Sequence, residues 1–140
     1  MIMDITSQNT KIKTKEGKYM IVMDLKIDNF MMFKNFHMNM SYPKKIVDSS
    51  IDGEFLVNRK NFRYKKVNIL MGANATGKTS LGKIIMHVFN LISRKKTTLL
   101  INAVANKNDI ATITMDFVDY LEQLNRIDIQ ILPPQEDDKE

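Results

Sequence analysis

A chain of 140 residues suits a single domain, because a chain of about this size buries roughly two thirds of its unfolded surface. With 44% hydrophobic and 26% charged residues it lacks the polarity of a disordered segment. Having no cysteine, it has no disulfide framework, thiolate metal site or thiol nucleophile.

The first 18 residues read as a polar N-terminal extension without the basic start, apolar middle and small-residue cleavage site of a signal peptide. No apolar run approaches the roughly 20 residues needed to cross a bilayer, so a cytoplasmic location is expected. From position 19 the apolar residues Tyr19, Ile21, Met23, Leu25 and Ile27 alternate with Asp24, Lys26 and Asp28, which predicts a strand. The alternation resumes with Phe36, Met38, Met40 and Tyr42 until Pro43 ends it, and the two runs are expected to pair as a hairpin. Residues 44–66 read as an irregular excursion or a further short strand. Within a net charge of +5, basic residues gather there, in Lys44, Lys45, Arg59, Lys60, Arg63, Lys65 and Lys66 with Phe55, Phe62 and Tyr64 among them, and again at Arg94 to Lys96. Such a stretch is a solvated surface or a site for nucleic acid, with Arg59, Lys60, Arg63 and Lys65 as the expected contacts.

Residues 67–71 are apolar apart from Asn68 and predict a buried parallel strand. Leu81, Ile84, Ile85, Val88 and Ile92 then recur at helical spacing, with Gly82 inside the pattern. Residues 97–108 fit either a short helix or a loop. Two more strands are predicted by Ala111, Ile113, Met115 and Phe117 and by Ile127, Ile129 and Ile131, before Pro133, Pro134 and an acidic tail over 133–140. His37 and His87 are too few for a zinc site without thiolates.

The segment with chemical content is Gly72-Ala73-Asn74-Ala75-Thr76-Gly77-Lys78-Thr79, a match to G-x-x-x-x-G-K-[ST]. Background frequencies give such a match by chance in a chain of this length with a probability on the order of 1%. Its place between an apolar run and an amphipathic helix fits the mechanism, in which a glycine loop delivers phosphate to a helix N-terminus. Gly72 and Gly77 allow backbone angles and close approach that a Cβ would obstruct. Lys78 is expected to reach the β- and γ-phosphates, and the Thr79 hydroxyl to join the shell of a nucleotide-bound Mg²⁺. The plainer alternative is a glycine-rich turn capping a helix, with Lys78 in solvent.

The loop through Ser80 and Leu81 resembles the G-x-N-x-x-G-K-[ST]-[ST]-L form of ABC-type ATPase heads, including SMC, RecF and OLD-like members of the AAA family ATPase group. Upstream, Leu25-Lys26-Ile27-Asp28-Asn29-Phe30-Met31-Met32-Phe33-Lys34-Asn35-Phe36 is similar to that group's opening strand. The resemblance covers roughly 19–92. It implies an α/β fold, a strand–loop–helix core over 19–132 beside an antiparallel hairpin subdomain, with ATP and Mg²⁺ as cofactors and a head-to-head dimer in the full-length form. It departs from the group at Met31, where a basic residue is usual, and at Ala75, often a glycine. A leucine-serine-glycine signature and a Walker B run are absent, so the chain resembles the N-terminal portion of such a head. Asp116 is the nearest acidic candidate for a catalytic role, although its alternating context points to an exposed strand face. ATP binding is therefore expected, while hydrolysis calls for elements this sequence does not display.

Two other classes compete. A small P-loop kinase would need acceptor-site arginines, for which only Arg94 and Arg126 follow the first helix, and a nucleic-acid-binding module would use the basic stretch alongside a residual P-loop. Asn106-Lys107-Asn108-Asp109 satisfies the guanine-reading N-K-x-D pattern literally, but stands only about thirty residues beyond Lys78, early for that role.

Overall fold

Five antiparallel strands make the main sheet of the computed structural model, which describes residues 3–8, 20–42, 55–56, 59–65 and 68–134. In chain order the elements are β1 (Met3–Gln8), β2 (Ile21–Asp28), β3 (Phe36–Asn39), β4 (Phe55–Leu56), β5 (Arg59–Arg63), α1 (Lys78–Arg94), α2 (Thr98–Asn102), β6 (Ala111–Val118) and β7 (Leu124–Ile131). The sheet runs β1-β7-β6-β2-β3, and β4 and β5 form a separate two-stranded hairpin.

The period-two pattern decides which face is buried. Leu25 and Ile27 of β2, Ile113 and Met115 of β6, and Ile129 and Ile131 of β7 are all at most 1% exposed and share one core with Leu81, Ile84, Val88, Leu91 and Ile92 of α1. Each of these side chains stabilises the fold by about 1.5 to 3 kcal/mol relative to leaving it in water. The opposite face is polar. There Arg126 donates Nε and an Nη to the two carboxylate oxygens of Asp116 at 2.6 and 2.8 Å, the Thr114 hydroxyl donates to Asp128, and the Asn39 amide donates to Asp24, which also pairs with His37 Nε2 at 2.8 Å. Near Val22 and Asp24 the pairing with β6 shifts, and beyond the shift Met23 and Val118 pack with Leu56 of the β4–β5 hairpin.

The hairpin of β2 and β3, the long helix and the strands β6 and β7 all fall where the periodicity puts them. The ambiguous 97–108 segment resolves into the five-residue α2 followed by a loop. Two expectations need correction. Residues 3–8, read as part of a polar extension, are an edge strand paired with β7. More consequentially, residues 68–71 form no strand: Ile69, Leu70 and Met71 are 79%, 46% and 90% exposed. An apolar run becomes a buried strand only when neighbours saturate its backbone and cover it, and no described strand pairs with this one. Val67 lies outside the described residues, as do Lys44, Lys45, Lys66 and residues 135–140 of the acidic tail.

His87 sits on the inner face of α1, 8% exposed, and its Nδ1 has no hydrogen-bond partner. Burial, with Lys83 adding repulsion, lowers its pKa from the usual value of about 6.5. The neutral ring is thus favoured in the folded chain and the unfolded chain binds the proton more readily. Its contribution to stability is complete above the unfolded pKa and declines as pH falls from there toward the lower folded pKa. Melts recorded from pH 7.5 downward should show a steeper loss for the wild type than for His87→Phe; parallel curves would contradict the assignment.

Candidate functional site

The 72–79 segment lies directly against the start of α1, so the residues singled out in the sequence are contiguous in space. Lys78 is the first helical residue, preceded by Gly77 as N-cap with φ +91° and no side-chain cap. The first intrahelical bond runs from Leu81 N to Gly77 O at 2.8 Å, leaving the amides of Lys78, Thr79 and Ser80 as the unpaired first-turn donors of any helix. No acidic side chain occupies that turn. Its partial positive charge is therefore left for an outside anion.

Three local features explain why these residue types suit the loop. A Cβ on Gly72 would stand 2.9 Å from the Thr76 hydroxyl oxygen, so a larger residue there would turn that hydroxyl aside. Ala75 adopts φ +63°, a left-handed conformation that glycine would take without steric cost. Gly77 is left-handed too, and a Cβ on it would meet Met32 Sδ at 2.7 Å and Phe33 Cζ at 3.3 Å.

The Lys78 ammonium is folded back over its own loop. It donates to Gly72 O at 2.7 Å, Ala73 O at 2.6 Å and Thr76 Oγ1 at 3.3 Å, and the Thr76 hydroxyl donates in turn to Ala73 O. Thr79, in the first turn of α1, is exposed, and Asn74 and Ala73 are exposed as well. Among the described residues no group of three or more histidine, aspartate or glutamate side chains converges on a metal position.

The acidic candidates are placed elsewhere. Asp116 lies on the polar face of the sheet, between Met115 and Phe117 whose side chains enter the core with α1, and its carboxylate is engaged by Arg126. This is the outward strand face that the alternation predicts: the pattern that puts 115 and 117 inward puts 116 outward, against Arg126. Asp119 caps the turn between β6 and β7, accepting from Leu121 N and Gln123 N with one oxygen and from the Asn125 amide with the other. Glu122 is in the same turn at φ +58°. Arg126, needed by a kinase reading, is committed to Asp116. Of the basic stretch, Arg59 is exposed at the start of β5, Lys60 and Arg63 belong to the same strand, and Lys65 lies 5.9 Å from the Tyr42 ring.

The N-K-x-D match also finds a structural use. Asn106 donates its side-chain amide to Asp109 at 2.6 Å and accepts from Asn108 N, so the two residues that would read guanine hold their own turn. That turn is anchored by Asn29, which sequence reasoning passed over as part of a pattern. The Asn29 amide nitrogen donates to the carbonyls of Asn106, Asp109 and Ile110 at 2.8, 3.2 and 3.3 Å, and its Oδ1 accepts from Asn106 N at 2.8 Å. These partners are about eighty positions away in the chain, a separation that local spacing does not reveal.

The chain matches no protein-family model, no curated protein and no solved structure.

Proposed function

We propose that the chain binds the phosphate chain of a nucleoside triphosphate, ATP with Mg²⁺, at 72–79, as the N-terminal portion of an ABC-type ATPase head. The observation that carries this reading is the full G-x-x-x-x-G-K-T pattern ending at the first residue of a 17-residue helix with an uncapped N-terminus. The ammonium already lies over the loop, so a phosphate chain entering there would exchange the Gly72, Ala73 and Thr76 oxygens for its own as Lys78 acceptors. The helix-start amides add donors for the same anion, and Thr79 supplies an oxygen to the metal. Bound ATP would supply the metal-bridged phosphates on which phosphoryl transfer operates.

Isothermal titration of the 140-residue protein should give Mg²⁺-ATP affinity between micromolar and millimolar, about 4 to 8 kcal/mol. Lys78→Ala should weaken it by roughly 10- to 100-fold, since a charge-assisted hydrogen bond is worth about 1.5 to 3 kcal/mol. Equal affinities for the two proteins would sink the reading. Turnover, in contrast, should be at most a trace. Asp116 and Asp119 are spent on structure, and cradling phosphate equally in ground and transition states does not speed the chemical step. Phosphate release near one per second that vanishes in Lys78→Ala would show a complete enzyme instead.

A further inference from the structure

The turn between β2 and β3 touches two loops at once. On one side Asn29 makes its four side-chain hydrogen bonds to residues 106–110, its carbonyl accepts from Ala105 N at 3.1 Å, and Met31 N donates to Ala103 O at 2.8 Å. On the other side Met32 and Phe33 abut the Cα of Gly77, where the phosphate loop becomes helix. Between the two contacts are only three peptide units, and they are not slack: Asn29 and Met31 are left-handed at φ +58° and +51°, Phe33 N donates to Phe30 O at 2.8 Å, and Phe30 is fully buried. A short, hydrogen-bonded and internally packed turn transmits displacement rather than absorbing it.

We propose that Asn29 is a positioning residue for the phosphate loop: by pinning the turn to 103–110 it holds Met32 and Phe33 against Gly77 and so fixes the angle at which the helix amides face the anion. Asn29 itself touches no phosphate. The inference rests on the phosphate-binding reading, and it adds that the 103–110 loop, remote in sequence, sets the affinity of that site.

The test is a double-mutant cycle on the full chain, read by titration with Mg²⁺-pyrophosphate. Asn29→Gly is the first variant because glycine tolerates φ +58° and the change removes only the side chain. Should it fold poorly, Asn29→Asp keeps the acceptor for Asn106 N and loses the donor to the three carbonyls. Met32→Ala removes the nearer of the two side-chain contacts on Gly77, leaving that of Phe33. Asn29→Gly is expected to weaken pyrophosphate about fivefold or more, while in the Met32→Ala background the same change should cost less than about twofold, the sign of two groups acting in series. Unchanged affinity, or an equal factor in both backgrounds, would overturn the inference, because a purely structural asparagine would weaken both alike. A flat titration for the wild type would overturn the phosphate reading itself, and this inference with it; the two failures are thus told apart by the wild-type arm.

Discussion

Gly77→Ala should lose phosphate binding and stability together, whereas Gly82→Ala, five residues along the same helix, should be stabilising. At Gly77 the backbone sits at φ +91°, which costs a residue with a Cβ roughly 1 to 2 kcal/mol. The added atom would also meet Met32 Sδ at 2.7 Å and Phe33 Cζ at 3.3 Å. Met32 is half exposed and has room to swing aside, but the Phe33 ring packs on Phe36 with centroids 4.8 Å apart, so the strain passes into the turn. A helix start that relaxes from φ +91° re-aims the very amides offered to the anion, and a loss of affinity beyond about tenfold is expected for a misplacement of this kind. Gly82 is ordinary helix interior with nothing within 4 Å of where its Cβ would be, so alanine there should add about 0.5 to 1 kcal/mol. Urea unfolding and pyrophosphate titration of both variants check this. Equal behaviour of the two would mean that the left-handed start of α1 is not what the glycine is for.

Phe30→Ala should be the most damaging single core change. The ring is fully buried in the shared core, and its residue also bridges Phe33 and Val104, so truncation empties the point where the β2–β3 turn, the 103–110 loop and α1 meet. Large-to-small changes of this type cost about 3 to 5 kcal/mol. A domain of this size has a total stability of only about 5 to 15 kcal/mol, so a measurable unfolded fraction is expected near physiological temperature. A loss below 1 kcal/mol in urea would show that the site refills easily. The partner comparison is Leu124→Ala, a 56% exposed position where the change should stay within about 0.5 kcal/mol.

What the sequence made legible followed from local regularity. The alternation from Ile21 to Asp28 and from Ala111 to Val118, and the helical spacing from Leu81 to Ile92, are each satisfied by one face meeting one core. The G-x-x-x-x-G-K-T pattern was visible because it is contiguous, and it ends on the first residue of α1. The failures have a different physics. Residues 68–71 carry the composition of a buried strand, but strand formation depends on partners that composition does not announce. Asn29 looked like one letter of an opening-strand pattern, and its work lies in bonds to residues 77 to 81 positions away. Asp116 stands on the outward strand face that its alternating context predicts, turned toward Arg126.

The bare stretch at 68–71 has a consequence for handling the protein. Ile69, Leu70 and Met71 expose three consecutive apolar side chains, a patch to which another molecule of the protein can adhere. Their opponent is the net charge of +5, whose repulsion between molecules is long-ranged in dilute buffer and shrinks to about 3 Å of reach in molar salt. Colloidal behaviour therefore inverts the usual expectation for a basic protein: salt added to suppress nonspecific adhesion brings these strips within range of one another, and the sample is best kept dilute at low ionic strength.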